Sequence, residues 1–204
     1  MKNSLHRNCT HKQQDELKIA VIGWGSLVWD KRDLSIKESW YEDGPCLPLE
    51  FCRLSSYGKS KERVTLVIDE KGSFCETLWA ICTHTNMQDA IKNLKDREGT
   101  PPKNIHSYCR QAIPKTKVEE IIAEWLKAKQ EVDEVIWTGL SSNWLELRGT
   151  PFSIEDFLSY ISSKEHDLTH IRNYIDKAPK QIKTQARSAF INKIGSIDAN
   201  RTTK

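Results

Sequence analysis

From residue 17 onward the chain passes from an unpatterned polar stretch to ordered alternations of apolar and polar positions. Leu17-Lys18-Ile19-Ala20-Val21-Ile22 predicts a short buried strand that runs into Gly23-Trp24-Gly25-Ser26-Leu27. Leu47, Leu49 and Phe51 alternate with other residues, as do Val64, Leu66 and Ile68, the period of strands with one covered face. Cys75 to Thr83 reads as one further strand, with Leu78 and Ala80 on one face and Trp79 and Ile81 on the other.

The period then changes to that of a helix. Met87, Ala90, Ile91 and Leu94 recur at helical spacing, with Thr85 or Asn86 as N-cap and Gly99 as the stop, and Pro101-Pro102 enforce the break. Val118, Ile121, Ile122, Trp125 and Leu126 predict a second helix, and Val135-Ile136-Trp137 a strand after it. Beyond Gly149 the pattern is helical: one segment capped by Ser153 with Phe157, Tyr160 and Ile161, one ending near Pro179, and a last one marked by Ile182, Ala186, Ala189 and Phe190. Strands first, with helices inserted and appended, predict an α+β chain rather than a β-α-β weave. The expected layout is a mobile tail over residues 1–16, a core over 17–149 and a helical extension over 150–204 packed on the same domain.

Composition keeps this picture globular. Of 204 residues, 38% are hydrophobic and 29% charged, enough for one ordinary core. The formal charge of +3 is mild, and from Lys164 onward nine Lys/Arg stand against four Asp/Glu, so the basic excess lies at the C-terminal end. The six cysteines form no C-x-x-C pair and read as reduced, mostly buried thiols. No apolar run approaches a membrane span and the first residues are too polar for a secretory signal, so the expected location is cytoplasmic.

Two features carry candidate chemistry. Gly23-x-Gly25 after a strand invites a dinucleotide reading, but the third small position is Val28, and residues 29–33 begin no amphipathic helix on which a pyrophosphate could rest. What the loop offers instead is a turn with backbone N–H groups and the Ser26 hydroxyl, suited to a carboxylate or an oxyanion. The alternative is a purely structural turn. The second feature is Glu98, which continues the Met87-Ile91-Leu94 stripe at i+4 from Leu94 and so points its carboxylate inward. Burial and the negative end of the helix dipole both raise its pKa, as a general acid–base near neutral pH requires. Pairing with Arg97, Arg110 or another cation is the competing, structural reading.

In combination, the strand ending in Gly-Trp-Gly-Ser-Leu and, some seventy residues later, Leu94-Lys-Asp-Arg-Glu98-Gly99 resemble the gamma-glutamylcyclotransferase-like superfamily over roughly residues 19–140. Residues Ala178-Pro-Lys-Gln181-Ile-Lys-Thr184-x-x-Arg187 look like an extension in bacterial relatives. The resemblance implies a mixed, barrel-like β-sheet core with inserted helices, Glu98 as catalytic residue and Gly23, Trp24, Gly25, Ser26 and Leu27 as substrate-binding residues. Trp24 stands where that family has Tyr, and Leu27 where it often has Asn. The implied reaction is closure of a γ-glutamyl group to a lactam by its own α-amine, with release of the attached amine and no metal or organic cofactor. The implied partner is thus a small γ-glutamyl-type molecule. A non-catalytic binding module on the same fold is the alternative.

Other motifs point elsewhere. His166-Asp-Leu-Thr-His170 has the spacing of a zinc-hydrolase helix but Asp in place of Glu and no evident third ligand; His6, Cys9 and His11 lie in the predicted tail. Lys177, Lys180, Lys183, Arg187 and Lys193 could meet a polyanion, yet lack interleaved exposed aromatics, so no nucleic-acid partner is expected. Trp29, Arg53, Tyr57 and Trp79 are secondary candidates for pocket walls.

Overall fold

The chain is described by a computed structural model for residues 17–37, 39–57, 61–163 and 168–202. The predicted tail, with His6, Cys9 and His11, and the residues His166 and Asp167 lie outside that set. Strand β1 (Ile19–Gly23) leads into a single helical turn, α1 (Ser26–Trp29), then β2 (Cys46–Tyr57), β3 (Lys61–Ile68), β4 (Ser73–Glu76) and β5 (Leu78–Ile81). Helix α2 (Met87–Glu98) and a 3-10 turn (Pro102–Asn104) precede β6 (Ile105–Cys109), α3 (Lys117–Lys127), β7 (Glu134–Thr138) and α4 (Trp144–Arg148). Helices α5 (Ile154–Ser163), α6 (Thr169–Lys177) and α7 (Gln185–Thr202) close the chain. The architecture is the mixed α+β one that the hydrophobic pattern predicts. Among the described residues no helix is long and apolar enough to cross a membrane.

The strands form two sheets, β5-β1-β7-β6 and β3-β2-β4. Among the described strands β1 and β7 pair in parallel and the other pairs are antiparallel, unlike a doubly wound nucleotide fold. The mixed α+β part of the expectation is shown and its barrel-like part is not: no ladder among the described residues joins the two sheets. Their separation has a local cause. The alternation from Cys75 to Thr83 looks like one strand, but the chain breaks at buried Thr77, leaving β4 in one sheet and β5 in the other. The Thr77 hydroxyl donates to the Pro45 carbonyl at 2.7 Å, its N–H donates to the same oxygen at 3.2 Å, and its carbonyl accepts from Gly44 N–H at 3.0 Å.

The four-stranded sheet is covered on both faces, and period 2 sorts its side chains. Ile19 and Val21 of β1 join Leu27, Leu34, Ala80, Leu94 and Ile136 in the core beneath α2. Ala20 and Ile22 join Leu47, Leu49, Phe51, Trp79 and Trp137 in the core shared with the second sheet, α3 and the C-terminal helices. Helix α6 lies on β3 and touches α1, while α7 packs on α5 and β2. Buried Glu50 of β2 ties that last helix down: its carboxylate accepts from Phe51 N–H at 2.8 Å and from Ala186 N–H, in the first turn of α7, at 3.3 Å.

Candidate functional site

Helix α2 delivers Glu98 because both of its ends are specified locally. The Asn86 side chain accepts from Asp89 N–H at 2.9 Å, the N-cap bond that replaces a missing helical partner. At the other end Gly99 adopts φ 62° and ψ 37°. Gly99 N–H reaches Asp96 O and Thr100 N–H reaches Lys95 O, each at 3.3 Å, a Schellman closure that a residue with a Cβ would strain. Glu98 is therefore the last helical residue, held at the mouth of the cleft between the two sheets.

The sequence-predicted residues come together there. Gly23, Trp24, Gly25, Ser26, Leu27 and Glu98 border one pocket of about 160 Å³. Its other walls include Arg53 and Ser55 from β2, Arg63 and Thr65 from β3, and Tyr174 from α6. Arg53 pairs with Thr65 across the ladder and Ser55 with Arg63, so four polar side chains share one face of the β2–β3 ribbon. Of the secondary wall candidates, Arg53 lines this pocket and Trp29 an adjoining one with Arg63, His170 and Tyr174. Trp79 is core, with its indole N–H donating to Asp43 at 2.7 Å; the side chain of Tyr57 lies outside the described set.

Within the loop the five residues differ in what they present. Trp24 is buried, and its indole N–H donates to the Leu66 carbonyl at 3.3 Å, so it supports the pocket rather than offering a donor to it. Leu27 packs its side chain into the core beneath α2. Gly25 has no room for a side chain: a Cβ there would stand 2.7 Å from the Tyr174 hydroxyl oxygen. The Ser26 backbone lies beside that same oxygen.

The electrostatics centre on Arg97 and Glu98. Arg97, with its side chain 2% exposed, donates to the Glu98 carboxylate at 2.7 Å and to the Ser26 hydroxyl at 3.5 Å from both terminal nitrogens. It also donates to the Asp30 carbonyl, so one guanidinium binds the end of α2 to the turn after β1. Burial holds the Glu98 carboxyl above the usual carboxylate range, against the pull of Arg97 and, more weakly, of Arg32 and Arg63. Pairing with Arg97 and inward projection thus occur together. Arg110 is occupied elsewhere, donating to the Leu126 carbonyl at 2.7 Å and the Val132 carbonyl at 3.1 Å.

Sequence reasoning missed Arg63, Thr65 and Tyr174. Arg63 and Thr65 alternate with the apolar set of β3 and look like a solvent face, which only the second sheet's placement turns toward the pocket. The described cysteines are free thiols, and burial pushes Cys82 up to about 12, far from nucleophilic use at neutral pH. Among the described residues no three His, Cys, Asp or Glu side chains gather as a metal site. Arg187, counted in the basic C-terminal stripe, is turned inward onto the carbonyls of Pro179, Ile182 and Ala178. No protein-family model, curated protein or solved structure matches the chain.

Proposed function

We propose that this pocket is the active site of a gamma-glutamylcyclotransferase-like enzyme that releases an amine from a γ-glutamyl group. One observation carries the reading: a glycine loop ending β1 and an inward glutamate ending α2, seventy residues apart, border the same small cavity. A γ-glutamyl head group bears an ammonium and a carboxylate on one carbon. The cavity offers complements to both, with Glu98 at the end of α2 and Arg53 and Arg63 on the ribbon of the other sheet.

The chemistry follows from these positions. Glu98 takes a proton from the α-ammonium, and the freed amine attacks the γ-carbonyl carbon, closing a five-membered ring. The bond to the leaving nitrogen then breaks as Glu98 returns the proton to it, and the second proton of the ring nitrogen follows the same route. Because attack is intramolecular, holding the chain folded back on itself supplies much of the acceleration. A carboxyl raised by burial is suited to both halves of this exchange.

Incubation with a panel of γ-glutamyl amines and peptides, read as 5-oxoproline by mass spectrometry, tests the proposal. Product is expected from the wild type and, with the loss of general acid–base catalysis, about 10²–10⁴-fold less from Glu98→Gln. The 2.7 Å pairing of Glu98 with Arg97 favours a second reading, a non-catalytic binding module. Binding of the panel by calorimetry with no product from either protein would select that reading.

A further inference from the structure

Tyr174 belongs to α6, far from both motifs in sequence, yet its hydroxyl lies in the wall of the pocket against Gly25. The side chain is 7% exposed and held from several sides. Trp29 meets its ring edge-on at 5.2 Å and Phe51 at 6.2 Å, and the Arg63 guanidinium lies 5.1 Å from the ring centroid. The backbones of Ser26 and Leu66 lie beside its oxygen, Leu66 at the point where a β-bulge between Glu50 and Arg53 sets two residues of β2 against one of β3.

A phenol carries one O–H to give. No protein acceptor for that proton is found among the described residues, and the open side of the hydroxyl is the cavity that Glu98 also borders. Packing alone would be met by phenylalanine. Resting on the cyclotransferase reading above, we propose that Tyr174 donates a hydrogen bond to the γ-carbonyl oxygen of the substrate as its charge develops, so that the helical extension completes the site. The loop then acts through the phenol, because the absence of a side chain at Gly25 leaves the hydroxyl its place in the wall. No bond to Tyr174 forms and its proton returns to it. Burial and the charge of Glu98 keep the phenol protonated, the form a donor needs.

Gly25 supplies the test. In the wild type a Cβ at Gly25 would stand 2.7 Å from the hydroxyl oxygen, whereas the next atom of that ring is 3.8 Å away, an ordinary contact. Tyr174→Phe is expected to lower kcat for 5-oxoproline formation about 10²-fold, the scale of losing one oxyanion donor, with KM little changed. Gly25→Ala, which pushes the hydroxyl aside while keeping the ring, is expected to lower kcat as well. Gly25→Ala added to Tyr174→Phe should cost nothing further. Wild-type kcat in Tyr174→Phe, or losses that multiply in the double variant, would overturn the role. If Tyr174→Phe does not fold, unchanged kcat in Gly25→Ala overturns it instead. An inactive Glu98→Gln beside a fully active Tyr174→Phe removes this inference and leaves the cyclotransferase reading standing. No product from the wild type removes both.

Discussion

Glu50 and Glu98 are the same residue type, one buried and one half-buried, both with carboxyls raised by burial, and the protein uses them in different ways. Glu50 sits 4% exposed beneath the start of α7, where Phe51 and Ala186 amides and Thr184 satisfy its oxygens. Among the described residues the Glu98 carboxylate is bonded by Arg97, and it borders a cavity. A raised pKa is therefore no signature of chemistry by itself. Both residues border open space, Glu50 a cavity of about 610 Å³ and Glu98 one of about 160 Å³, so what separates them is the hydrogen bonding: Glu50 accepts from amides at a helix start, whereas Glu98 pairs with a guanidinium.

The largest effect that sharpens this contrast is on folding. Glu50→Ala leaves the Ala186 amide in the first turn of α7 without its acceptor and is expected to destabilise by about 2–3 kcal/mol, read by denaturant unfolding. Turnover per folded molecule should stay unchanged. A Glu50→Ala protein that folds well but is inactive would break the comparison.

Next in size is a pH effect shared by both residues. A carboxyl raised in the folded state binds its proton more tightly there than in the unfolded chain. The stability it contributes is complete below the ordinary glutamate range and is lost as pH rises through the raised folded value. Wild-type Tm should therefore fall relative to Glu98→Gln on going from acid toward neutral pH, since the amide cannot titrate. Parallel Tm curves for the two proteins would contradict the direction assigned to Glu98.

The smallest effect is at the helix end. Gly99→Ala has open space for its methyl but a φ of 62°, so it is expected to cost about 1 kcal/mol, measured by thermal unfolding. Because Glu98 precedes it, a loss of activity larger than the loss of stability would show how finely the carboxylate is aimed.

Legibility in the chain tracks how local each determinant is. Helix α2 could be read nearly to its ends because Asn86 and Gly99 act within a few residues of themselves. Half-buried Glu98 followed, since its stripe position is set by the same helix. The break at Thr77 could not be read, because the alternation of apolar residues continues across it and only contacts with Gly44 and Pro45 turn the chain. Strand β6, Ile-His-Ser-Tyr-Cys, carries too weak an alternation to announce itself. The single turn α1 was missed because four residues hold too little of a period. Tyr174 was invisible for a different reason: its place in the pocket wall depends on a missing side chain at Gly25, far away in sequence.

The corner at Thr77 has a consequence for how the molecule could be altered. One residue joins a strand of each sheet, so a covalent link ties the two sheets together alongside the packing between them. Substitutions in the walls can change what the cleft recognises without changing how far apart the walls stand. Adding or deleting one residue at 77 would act like changing the hinge pin of a vice, moving both jaws at once and flipping the side chains of whichever strand lost its register.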